Sequence, residues 1–170
     1  EVCAVGIDEA VGVCRAQDAA FIVAIGDNAV RRSVYLRLLH AGLEPALVVH
    51  PGATIASSAV LGPGTVALAG AVVNPCARVG ADVILNTACS VDHDNEIGDH
   101  VHISPGAHLG GTVRVGEGTH LGLGASIRNN VVIGEWVVVG LGSAVVGDLP
   151  DRVVAYGVPA RVRRPASRPA

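Results

Sequence analysis

The stretch VILNTACSVDHDNEIGDHVHISPGAHLGGTVRVG, residues 83–116, carries two patterns at once, and the first of them decides the fold. Leu85, Val91, Ile97, Ile103, Leu109 and Val115 fall on every sixth position. Extended in both directions, the same frame runs unbroken through 16 aliphatic residues from Ile55 to Val145. With 50% of the chain hydrophobic, a fixed frame would do this by chance about once in 10^5 trials, so the period is a structural signal. Four positions after each aliphatic stands a small or β-branched residue, such as Val83, Cys89, Val101, Ala107 and Val113. The position directly after it is often glycine, as at Gly98, Gly110 and Gly116.

A period of six matches neither an amphipathic helix nor an alternating hairpin strand. It matches a solenoid in which each hexapeptide is a short strand plus a turn, and three hexapeptides close one triangular coil. Residues 18 apart then stack on neighbouring coils at about 4.8 Å, the spacing of paired strands. The aliphatic points inward and the small residue lets the backbone turn the corner. Residues 51–149 therefore read as a parallel β-helix of about five coils, and residues 150–170 as a C-terminal extension.

Residues 1–50 follow other rules. Val2–Ile7 and Ala20–Ile25 read as strands, Leu47–His50 as a third, and Asp27 or Asn28 caps a helix running to about His40 with Gly42 past its end. Strands alternating with a helix suggest a small, partial α/β domain of Rossmann-like type. In such sheets ligands sit beyond the carboxyl ends of the strands, where Asp8 and Gly26–Asn28 fall; ordinary turn residues are the other reading. The chain contains no methionine and opens on an apolar run, so it reads as lacking its first segment.

Composition narrows the function. A net charge of −3 and 2% aromatic residues argue against a nucleic-acid surface. No apolar run is long enough for a transmembrane helix, and no signal peptide is evident. Cys3, Cys14, Cys76 and Cys89 lack metal-ligand spacing and fit the reduced thiols of a cytoplasmic protein.

The second pattern in residues 83–116 is polar. Five of the seven histidines, His93, His100, His102, His108 and His120, lie between positions 93 and 120. Asn95 intrudes at a small-residue slot, and a rigid repeat that breaks its own rule suggests a site. By the 18-residue arithmetic His102 stacks on His120, and His93 on Gly111. The glycine leaves room beside the ring and an accessible N–H. That arrangement suits acyl transfer: His93 takes a proton from an incoming amine or hydroxyl, and Asp94 (or Asp92) orients the imidazole. Gly111 N–H faces the oxygen that becomes negative. His100 reads as solvent-facing.

Several segments together carry a family likeness: Ile25-Gly-Asp-Asn28, His50-Pro51, Ile84-Leu-Asn-Thr87, His93-Asp94, Ile97-Gly-Asp99, Val101 through Gly111, and Gly157-Val-Pro-Ala160. In these the chain resembles the left-handed β-helix acyltransferases, most closely the bacterial sugar acetyltransferases of the sialic-acid and bacillosamine type. The resemblance implies a left-handed solenoid, a homotrimer with active sites between protomers, and acetyl-CoA as donor. It makes His93 the general base and Asp94 its acidic partner, where some relatives carry Glu. It puts His102 near the acetyl group and Gly111 N–H on the thioester oxygen, and marks Asn86 as a substrate residue. The CoA arm would pass Leu123 and Leu141 to Gly157, Pro159 and Ala160, with Arg161, Arg163 and Arg164 beyond. The family's α/β domain binds the nucleotide of a nucleotide-linked sugar, which assigns Asp8, Gly26 and Asn28 to substrate. Its opening strand and Gly-rich loop are absent from this sequence.

The resulting expectation is an acetyltransferase acting on the amino group, or a hydroxyl, of a nucleotide-activated sugar, with no metal. Serine O-acetyltransferase, a γ-carbonic-anhydrase-like metal-dependent hydratase and an inactive scaffold are the alternatives.

Overall fold

The computed structural model describes residues 6–166. From Val48 to Val145 the chain is a parallel β-solenoid of 17 two-residue strands, one every six residues. They form three faces. The first contains Val48–Val49, Val66–Ala67, Ile84–Leu85, His102–Ile103, His120–Leu121 and Val138–Val139. The second runs from Thr54–Ile55 to Ala144–Val145 and includes Ser90–Val91, His108–Leu109 and Ser126–Ile127. The third runs from Val60–Leu61 to Val132–Ile133. Register is 18 residues throughout: Ile84 pairs with His102, His102 with His120, and His120 with Val138.

The six-residue frame is the core. Leu85, Val91, Ile103 and Leu121 are fully buried, and so are the small-slot residues Ala71, Cys89, Val101 and Ala107 two positions before a strand's inward aliphatic. The two share a side because strand residues i and i+2 point the same way. Small residues are required there because converging faces leave little volume beside each corner. Each corner also needs one left-handed residue, taken by glycine at Gly106 and Gly124 but by Asp82, Asp94 and His100 elsewhere, with φ between 54° and 59°. Those non-glycine residues are held by bonds to the coil before: Asp94 N–H donates to Pro75 O at 3.1 Å and His100 N–H to Ala81 O at 2.8 Å.

Four sequence expectations change. The solenoid has nearly six coils, because Val48–Val49 pairs with Val66–Ala67. The segment Leu47–His50 thus belongs to the β-helix; its N–H groups find carbonyls of the next coil, Thr65 O and Ala67 O. Of the Val2–Ile7 strand, residues 2–5 lie outside the described residues, and Ile7 opens a helix, α1 (Ile7–Gln17), whose first turn holds Asp8. Ala10 and Cys14, one helical turn apart, bury against Phe21 and Val23. Ala20–Ile25 contributes only a single parallel bridge, Phe21 to Pro45. Among the described residues, the front end is thus two helices and a bridge.

The second helix, α2 (Asn28–His40), is as read: Asp27 caps it by accepting from Val30 N–H at 2.9 Å. It lies along the corner between the third and first faces and crosses successive coils. Tyr35 OH donates to Pro63 O, Arg31 meets Asp82 and His100 O, and Asn28 Nδ2 donates to Gly118 O and Thr119 O. After the last coil, Val153–Gly157 and Ala160–Pro165 form a hairpin that extends the first face.

Asn95 belongs to this scaffold. It is fully buried, donates to Gly110 O and accepts from Val113 N–H. Thr65 makes the same pair of bonds, to Gly80 O and from Val83 N–H, and Thr119 makes it to Gly134 O and from Val137 N–H. The polar intrusion satisfies a backbone pair that a small apolar residue would leave open. Asn95→Ala is expected to lower unfolding free energy by about 1–3 kcal/mol, the cost of orphaning buried groups, whereas Asn95→Thr should stay close to wild type in denaturant melts. Equal losses in both variants would contradict a bridging role.

Candidate active site

His93 and Asp94 are adjacent turn residues on the corner between the second and third faces, held out by the left-handed backbone of Asp94. His93 Nδ1 donates to Asp94 Oδ2 at 2.8 Å, and both side chains are more than half exposed. Asp92, the other carboxylate considered, is engaged elsewhere: its Oδ1 accepts from the His93 N–H and from Asn74 Nδ2, at 2.8 and 2.9 Å. With Nδ1 occupied as a donor, Nε2 is left as the acceptor, the state a proton-abstracting imidazole needs. The hydrogen bond donated to Asp94 outweighs desolvation and raises the His93 pKa above its ordinary value, because the carboxylate favours the imidazolium.

One coil on, Gly111 lies under the ring. A Cβ there would stand 2.6 Å from His93 Cε1 and Nε2. A side chain there would push the imidazole out of this position, so the glycine leaves the ring its place over the next coil. The carbonyl of Gly111 accepts from Asn130 N–H and Thr112 Oγ1, while its N–H meets no acceptor among the described residues.

A second cluster sits on the first face. The rings of His102 and His120 stack with centroids 4.8 Å apart and planes 9° from parallel. Asn86 Nδ2 donates to His102 Nε2 at 3.0 Å, so the proton is on Nδ1; that atom is buried and meets no hydrogen-bond partner among the described residues. Ser104 Oγ is 2.8 Å from His120 Nε2. Burial, followed by the neighbouring His120 and Arg31, pushes the His102 pKa down to about 4; burial and Arg31 lower that of His120. Both rings are neutral at pH 7.

The remaining assigned residues extend this second cluster. Leu123 and Leu141 occupy the corner between the first and second faces, 57% and 79% exposed, linked by Gly142 N–H to Leu123 O at 2.7 Å. The hairpin turn Gly157–Ala160 is tied to the same coil, with Gly157 N–H donating to Ser143 Oγ at 3.1 Å. Gly26 is exposed at the edge of α2, but the Asn28 side chain is buried, its Oδ1 accepting from Arg31 and its Nδ2 committed to the corner carbonyls. Asp8 lies in α1.

The structure therefore gathers Asn86, His102, Leu123, Leu141, Gly26 and the 157–160 turn along one side of the prism. It puts His93, Asp94 and Gly111 on the opposite edge. The signal was in the numbering: His93 and His102 differ by 9, half of an 18-residue coil. His100, read as solvent-facing, is buried; its Nδ1 lies 2.8 Å from Asp82 Oδ2, and Tyr35 packs edge-on at 5.6 Å. His108 is exposed on the second face beside Ser90. Cys14, Cys76 and Cys89 are free thiols. Among the described residues no His, Cys, Asp and Glu side chains gather in threes as metal ligands, and no helix is long and apolar enough to cross a membrane.

The chain is thus a hexapeptide β-solenoid that displays a His–Asp pair above a glycine. Comparison with solved structures narrows the class. The acetyltransferase domain of PglB from Neisseria gonorrhoeae FA1090, in complex with acetyl coenzyme A, is 40% identical with TM-score 0.82, over 85% of this chain and 70% of that one. PerB from Caulobacter crescentus, in complex with CoA and GDP-perosamine, is 39% identical with TM-score 0.88, over 92% of this chain and 76% of that one. WeeI from Acinetobacter baumannii AYE is 27% identical with TM-score 0.82, over 85% and 70%. No protein-family model and no curated protein matches the sequence. The chain belongs to the left-handed β-helix sugar acetyltransferases, acyl-CoA-dependent enzymes.

Asp94→Asn should lower the His93 pKa toward its unperturbed value of about 6.5, followed by NMR titration of the imidazole signals, while His102 keeps its depressed value. An unmoved His93 would show that Asp94 does not hold it.

Proposed function

We propose that this chain transfers the acetyl group of acetyl-CoA to the amino group of a nucleotide-linked sugar, by direct attack with His93 as general base. The observation that carries the reading is the exposed His93–Asp94 pair with its free Nε2 directly above Gly111. An amine nitrogen approaching the thioester carbonyl loses its proton to Nε2 as the N–C bond forms; Asp94 stabilises the imidazolium. The carbonyl oxygen, negative in the tetrahedral intermediate, is met by Gly111 N–H. Collapse breaks the C–S bond and releases CoA as a thiol, with the proton returned through His93. PerB is described as a perosamine N-acetyltransferase and was solved with GDP-perosamine, which supports nitrogen over oxygen as the acceptor.

In this reading the protein is a cytoplasmic homotrimer and its active sites lie between protomers. A single chain holds the base on one edge and the His102 face on the opposite side. Apposing the edge of one protomer with the first face of the next brings both to one site, as a closed three-fold ring of heterologous contacts allows. His102 then lines the acetyl end of the donor, and the pantetheine arm follows Leu123 and Leu141 to Gly157, Pro159 and Ala160. Asn86, with Asp8 and Gly26, takes the acceptor; Asn28 contributes by fixing the Gly26–Asp27 loop.

His93→Ala should reduce turnover about 10²–10⁴-fold, the usual worth of a general base, and leave the KM for acetyl-CoA unchanged; turnover like wild type would remove His93 from the role. Mixing subunits tests the shared site. When His93→Ala and His102→Ala chains are unfolded and co-refolded in equal amounts, about a quarter of the sites combine an intact edge with an intact face. Activity should rise above either variant alone toward that fraction. No recovery would contradict sites built from two protomers.

A further inference from the structure

Arg31 is 1% exposed and sits where α2, the loop before it and the solenoid meet. Its guanidinium is fully used. Nε donates to Asp82 O at 3.1 Å and pairs with Asp82 Oδ2 at 3.2 Å. Nη1 donates to Ile25 O at 3.2 Å and to Asn28 Oδ1 at 2.9 Å. Nη2 donates to His100 O at 2.6 Å. Asn28, so oriented, donates to Gly118 O and Thr119 O. The carboxylate of Asp82 is shared with His100 Nδ1.

The acceptors have a common feature. His100 O lies two residues before His102, and Thr119 O one residue before His120, so the pin grips the backbone that feeds the two stacked rings. At its other end it grips Ile25 O, the carbonyl directly before Gly26. A planar fork with donors in fixed directions can span three such acceptors; a single ammonium cannot. A helix needing only to be packed would be served by apolar contacts, and α2 already has them through Val34, Tyr35 and Leu38.

We propose that Arg31 is a positioning residue for the transferase reaction: it locks the Gly26–Asp27 loop against the His102–His120 face and so sets the acceptor end of the site. This rests on the assignment of that loop, with Asn86, to the acceptor. Arg31 touches no substrate and takes no part in the chemical step.

The test is Arg31→Lys in the full chain, which keeps a cation beside Asp82 but cannot hold Ile25 O and His100 O together. Losing one charge-assisted bond across the loop should raise the KM for the nucleotide-amino sugar about tenfold, assayed with GDP-perosamine and, where wild type does not use it, UDP-, dTDP- and CMP-linked amino sugars. The KM for acetyl-CoA and the kcat at saturating acceptor should stay within about twofold. Hydrogen exchange of the same variant should accelerate at the amides of residues 24–28 and leave the coil amides around Ile103 and Leu121 unchanged. A merely structural arginine would lower the melting temperature with both KM values unmoved, and that result overturns the proposal; so does unchanged exchange in the loop. If no nucleotide-amino sugar is a substrate for wild type, the acceptor assignment fails, while the exchange measurement still decides whether Arg31 locks the loop.

Discussion

Everything in this molecule depends on an 18-residue register between successive coils, enforced by the backbone ladder and the buried aliphatic frame together. His102 N–H donates to Thr119 O and Ser104 N–H to Leu121 O, and the same step repeats around the prism. A slip of one residue would turn Leu85, Ile103 and Leu121 out to solvent and expose the core. That penalty makes the register rigid, and rigidity lets a glycine in one coil serve a histidine in another. His93 over Gly111 and His102 over His120 are consequences of the ladder.

Polar residues on this scaffold divide by whether their bonding capacity is spent. Asn95, Thr65 and Thr119 are buried, and each closes a backbone pair. Arg31 and Asp82 form a buried ion pair to which His100 is hydrogen-bonded, so each member meets another, the arrangement that makes such burial tolerable. His93 differs: it is exposed, with one nitrogen committed to Asp94 and the other free above a glycine. Its pKa is raised, whereas those of His102 and His120 are lowered, so one chain presents one basic imidazole and two neutral ones.

The solenoid and the His93–Gly111 stack were legible because both follow from a fixed period. Of the front end only α2 was, because the other segments are short. Residues 2–7 and 20–25 are apolar runs that periodicity cannot assign to helix or strand, and the helix-forming partners Ala10 and Cys14 lie beyond the first run. Leu47–His50 looked like the close of an α/β unit, yet its partner is the strand 18 residues ahead. Asn95 drew notice as an irregularity, and its equivalence to Thr65 and Thr119 shows only in three dimensions. His100 was misplaced because the groups that bury it, Arg31 and Tyr35, come from a helix more than 60 residues away in sequence. The separation of His93 from His102 by half a coil was countable and puts the two on opposite sides of the prism.

The most direct measurement is a crystal structure of the assembled protein with CoA and GDP-perosamine, or whichever nucleotide-amino sugar is turned over. The CoA sulfur and the sugar amine are expected together between His93 of one protomer and the His102 face of its neighbour, with the sulfur near Gly111 N–H. CoA bound wholly within one chain, or an acceptor amine out of reach of every His93, would contradict the shared-site mechanism.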